Sequence, residues 1–84
     1  MMFRLGDMVH VTMAPRFLGV VLNQVPPGKH ARLALFDKIT GEHVPPGRVH
    51  TTWANNHLRL IDDAWPVSDE MLAMSVRIKL GGEA

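Results

Sequence analysis

The chain has no cysteine and no tyrosine, and aromatic residues make up only 6% of its 84 positions. Without cysteine, neither disulfides nor thiolate metal sites hold the fold, and no thiol acts as a nucleophile. Cysteine usage leaves the compartment open, with the cytoplasm favoured. No apolar run approaches the roughly 18 residues of a membrane span, and the opening stretch Met1 to Asp7 lacks the uninterrupted apolar core of a signal peptide. A soluble protein without a membrane partner is expected. Serine is scarce as well: Ser68 and Ser75 both stand late in the chain, so neither a Ser-His-Asp order nor a G-x-S-x-G elbow can be drawn. The glycines are single turn residues apart from Gly81-Gly82, so no phosphate-cradling loop is present. Asp62-Asp63 and Asp69-Glu70 could pair as acid and base, but solvated-turn and helix-capping roles account for them more simply. These absences leave no catalytic group, and an enzyme is not expected.

His43, His50 and His57 recur at intervals of seven and invite a metal reading. A zinc site needs three or four converging ligands, usually including a close pair, and no such pair exists here. Polar surface or turn histidines are expected instead, with no metal and no cofactor.

What the chain does contain is turn chemistry. Val25-Pro26-Pro27-Gly28-Lys29 returns 19 residues later as Val44-Pro45-Pro46-Gly47-Arg48. Proline fixes φ and lacks an N–H, and glycine permits φ > 0, so each pentad reads as an exposed turn between extended runs. The flanking sequences do not match, which favours convergent turn chemistry over duplication. Around these turns the pattern is that of short antiparallel strands. Met8 to Met13 alternates with period 2. Phe17 to Gln24 is apolar on both faces, as a central strand would be, with Gly19 marking a bulge or bend. Residues 31 to 37 point Leu33 and Leu35 together, Val49 to Trp53 is β-rich, Asn55 to His57 is a tight single turn, and Leu58 to Ile61 is a fifth strand. The expected fold is mainly β: a five-stranded SH3-like barrel over residues 1 to 63, with a helical or mixed extension over 64 to 84 that packs on the barrel or on a partner. In that extension Ser68 caps a helix over residues 68 to 74, with Val67 stapled on Leu72 and Gly81 near the stop. The alternation of Met74, Val76, Ile78 and Leu80 with polar residues predicts a strand over 75 to 80.

The strings GDMVHV, GVVL, ARLALF and the closing WANNHLRLI, spanning residues 6 to 61, resemble the small SH3-like barrels of bacteriophage proteins and, more loosely, KOW-type modules. The resemblance implies a β-barrel and either a virion component or a nucleic-acid-binding module. The Pro-Pro-Gly turns and the C-terminal extension depart from it.

Two partner classes follow. With 46% hydrophobic residues, so small a body holds more apolar side chains than one core readily hides. Methionines gather toward both ends, where their unbranched thioethers adapt to uneven surfaces. Met1, Met2, Phe3, Trp65, Met71 and Met74 are therefore expected to meet other protein subunits in a homo- or hetero-oligomer, in the cytoplasm or a virion. The alternative partner is nucleic acid. Residues 8 to 60 carry six cations against two acids, whereas residues 61 to 84 carry two against five. Arg16, Lys29, Arg32, Arg48 and Arg59 could form a basic stripe with Trp53 as a stacking platform.

Overall fold

A computed structural model of the chain describes residues 3–25, 28–61 and 67–81. Five antiparallel strands curl into a half-barrel and one helix follows. The strands are β1 (Met8–Val11), β2 (Phe17–Gln24), β3 (His30–Asp37), β4 (Thr52–Ala54) and β5 (Leu58–Leu60), with a 3₁₀ turn at Asn55–His57 and helix α1 at Asp69–Lys79. The sheet order is β4-β3-β2-β1-β5: a meander whose last strand returns to pair with the first. The central strand is β2, as its two apolar faces require.

Alternation along the strands sends side chains to two separate cores. Val9, Val11, Val21, Ala31, Leu33, Leu35 and Leu58 fill the inside of the curl together with Phe3. Leu18, Val20, Ala34 and Phe36 point outward, where Met71 of α1 closes over them with Met74 and Ile78 alongside. The helix is therefore a second wall for a sheet that is apolar on both sides.

Several expectations need correction. Residues 75 to 80 are not a strand; α1 runs on through Lys79. A period of two and a period of 3.6 both place residues 74 and 78 on one face, and what decides is the outer sheet face, which Met71, Met74, Ser75 and Ile78 cover at helical spacing. Val67 joins this outer core, whereas Leu72 is largely exposed. Gly19 is not a bulge, because its register with Val9 and Leu35 is regular; the ladder slips between Val21 and Asn23 instead. β4 begins at Thr52 rather than Val49.

The twin pentads serve different purposes. The first joins β2 to β3, closed by Val25 N–H donating to His30 O at 2.8 Å, with Gly28 at φ +82°; Pro26 and Pro27 lie outside the described residues. The second interrupts an edge. His43 bridges Phe36 and Val44 N–H donates to Leu35 O, while Leu33 N–H donates to Thr51 O. Residues 44 and 51 thus flank the same strand two positions apart, and residues 45 to 50 loop out opposite Ala34, with Gly47 at φ +97°.

Candidate protein docking surface

Helix α1 is held firmly at both ends. Ser68 takes the N-cap position, its hydroxyl oxygen accepting from Met71 N–H at 3.2 Å, and Asp69 and Glu70 occupy the first turn where the helix dipole favours acids. Arg77 and Lys79 occupy the last turn, and Gly81 N–H closes on Ile78 O at 2.9 Å. The inward face is fixed by packing and by one polar tie: the buried Ser75 hydroxyl donates to Gly6 O. Lys79 Nζ lies 4.0 Å from Asp7 Oδ1 beside it.

With Met71, Met74, Ser75 and Ile78 turned inward, the opposite face presents Asp69, Leu72, Ala73, Val76, Arg77 and Leu80 around a shallow apolar surface. Leu72 is 45% exposed, Val76 48% and Leu80 83%. Three large aliphatic side chains one turn apart on a solvent-facing helix are more than the scattered apolar residues of an ordinary surface. Leu5 and Ile39, also exposed, stand in turns that reach the helix, since Gly6 abuts Ser75 and Lys79, and Gly41 abuts Ser68.

The residues expected to meet a partner are dispersed. Phe3 is buried inside the curl and Met71 in the outer core, so both pack within the chain itself, and Met74 is half-buried beside Met71. Met1, Met2 and Trp65 lie outside the described residues. Leu72, Val76 and Leu80 were not anticipated as contact residues, although their spacing of four was visible. The alternation that predicts a strand over 75 to 80 puts Val76 and Leu80 on one face with Met74 and Ile78; the helix parts the two pairs.

The candidate nucleic-acid residues are spread over several elements, although Arg48 and Trp53 line one shallow depression together with Ala14 and Phe17, which flank Arg16 in the chain. Arg16 is paired with Asp37 through Nε at 2.9 Å, and it sits beside Lys38, whose N–H donates to Arg16 O. Lys29 is at the other end of β3, about 25 Å away along eight extended residues. Arg48 is in the 45–50 loop. Arg32 and Arg59 are exposed on strands separated by β2 and β1. Trp53 packs partly buried against the inner core, its indole N–H donates to His50 O at 2.9 Å, and the ring lines the depression that it shares with Arg48 and His50.

Two titratable groups are shifted. The Arg16 guanidinium, helped by N–H donation from Ile39 and Thr40, holds the Asp37 carboxyl below its ordinary value of 3.8. Burial, then the charges of Lys38 and Arg59, lower His10 from 6.5 against an opposing hydrogen bond with the Pro15 backbone. Each shift follows from local packing. His43 tilts over Phe36 with ring centroids 5.2 Å apart, His50 is in the 45–50 loop and His57 in the 3₁₀ turn, and among the described residues no three His, Asp or Glu gather around a common point. No helix among them is long and apolar enough to cross a membrane.

No protein-family model, curated protein sequence or solved structure matches the chain.

Proposed function

We propose that this chain is a non-enzymatic structural or adaptor protein that works through protein–protein contacts, with the outer face of α1 as its contact surface. One observation carries this: a helix whose inner face is already packed on the sheet exposes a second apolar stripe at Leu72, Val76 and Leu80. A helix needs one such stripe to fold against a sheet, and a second lowers solubility unless something covers it. The resemblance of the strand sequences to SH3-like barrels of bacteriophage proteins supports a virion component as the setting. The engagement of Arg16 by Asp37, and the placing of Arg32 and Arg59 on strands separated by β2 and β1, weigh against the nucleic-acid alternative.

The test compares the full chain with a Leu72→Ser/Val76→Ser variant, each cross-linked in the cells that make it and analysed by mass spectrometry. A protein partner, or a second copy, joined to the former and lost from the latter at nearly equal Tm is the expected result. Recovery of DNA or RNA that both chains bind equally, with affinity falling steeply in salt, overturns the reading.

A further inference from the structure

We propose that the occupant of this face is the same face of a second copy, the two α1 helices crossing antiparallel about a two-fold axis that passes between Ala73 and Val76. The proposal rests on the docking reading of α1 and adds the partner's identity. The four residues pointing most directly away from the sheet are Asp69, Ala73, Val76 and Leu80, spaced four, three and four apart, as at the seam of two packed helices. Antiparallel pairing sets Ala73 against the second copy's Val76 twice over, a small residue against a larger one, which allows axes to approach to about 8–10 Å.

The charges at the flanks choose the orientation. Glu70 and Arg77 lie on one side of the seam, two turns apart, roughly 10 Å along the axis and out of each other's reach within one helix. The two-fold brings Glu70 against the second copy's Arg77 and repeats the pair at the other end. On the opposite side Leu72 meets the apolar stem of the second copy's Lys79. Antiparallel helices also set acidic N-termini beside basic C-termini and oppose the two dipoles. A parallel pair would bring neither cation to Glu70 and would align the dipoles. The face thus carries its own complement, which is what an isologous contact requires.

An 11-residue helix is about 16 Å long, so this contact is smaller than the ~800 Å² per partner of a standard interface. The dimer is accordingly weak and concentration-dependent.

Sedimentation equilibrium of the full chain from about 5 to about 500 μM is the measurement, spanning the micromolar affinities expected of a small contact. A monomer–dimer equilibrium is expected. Glu70→Arg and Arg77→Glu should each weaken it about tenfold, and the double exchange should restore it. Restoration is diagnostic because the exchanged charges oppose the helix dipole in both helices, so a merely structural effect would be worst in the double variant. Far-UV circular dichroism confirms that each variant keeps α1. A monomer throughout the range overturns self-pairing, and the docking reading then stands or falls on the Leu72→Ser/Val76→Ser comparison alone. A dimer that survives Ala73→Glu and both charge reversals overturns self-pairing through α1 and, if it is also the cross-linked species, the docking reading with it.

Discussion

A methyl group added at Gly19 would stand 2.8 Å from Leu33 Cδ1 and 3.2 Å from Leu33 Cβ, inside the curl, so Leu33 would have to shift. At Gly47 it would meet nothing within 4 Å, but the backbone there has φ +97°. Both substitutions to alanine destabilise, for different reasons. Gly19→Ala overpacks a core, at a cost of about 1–3 kcal/mol. Gly47→Ala strains the backbone only, at about 1–2 kcal/mol, and should leave the packing of Leu33 untouched. Chemical denaturation gives both numbers, and the methyl chemical shifts of Leu33 separate the causes. The titrating residues give a second prediction. Folding lowers the His10 pKa, so the unfolded chain takes up the proton first, and stability falls as pH drops below 6.5 until the folded-state pKa is also passed. Asp37, lowered from 3.8 mainly by Arg16, contributes stability above that value that is lost as pH falls through its folded pKa. Melting curves of the wild type and His10→Gln between pH 7.5 and 5.5 should converge toward acid, since the variant has no imidazole to titrate; a constant difference would contradict the first assignment.

At the level of single elements, α1 shows what one face contributes and what the other does not. Met71 is 1% exposed beneath the helix, and Met71→Ala should cost about 2–5 kcal/mol, whereas Leu72→Ser beside it should stay within about 0.5 kcal/mol. Thermal unfolding of the two variants decides whether the helix is seated as described. The Ser68 cap, the acids after it and Gly81 were all legible in the sequence, because capping is local chemistry. The length of the helix was not. Nothing within residues 75 to 80 separates a strand from a helix; the choice is made by Leu18, Val20, Ala34 and Phe36, more than thirty positions earlier, which offer an apolar face to cover. β2 and β3 were legible for the opposite reason, since eight-residue runs with an apolar majority have few other ways to be buried. The pentads show the limit of local reading: near-identical turns, one closing a hairpin and one leaving an edge, with the difference lying in which residues pair with β3. For the contact surface, the apolar excess was visible in composition, but its location depended on knowing which helix face was already taken.

For the molecule as a whole, the sheet is apolar on both sides and closes neither. Among the described residues, the inner core is sealed by the curl and by Phe3, the outer chiefly by α1 with Ile61 and Val67 at its edge. Removing everything after Asp63 should therefore leave the strands with Leu18, Val20 and Phe36 uncovered, and the truncated chain should aggregate or lose its cooperative transition. A truncated chain that melts like the full one would mean that the outer core contributes nothing. The excursion at residues 45 to 50 has a bearing on aggregation too. Six residues stand where the ladder against β3 has room for one, opposite Ala34. Were they replaced by a single threonine, the stretch from 42 to 54 would become one long straight strand with a free row of N–H and C=O groups, a template for end-to-end stacking of sheets. The Pro45-Pro46 loop breaks that row in the middle, and prolines cannot donate to an incoming strand. The shortened chain should fold and then form fibrils that bind thioflavin at concentrations where the natural one stays clear: the loop guards against polymerisation.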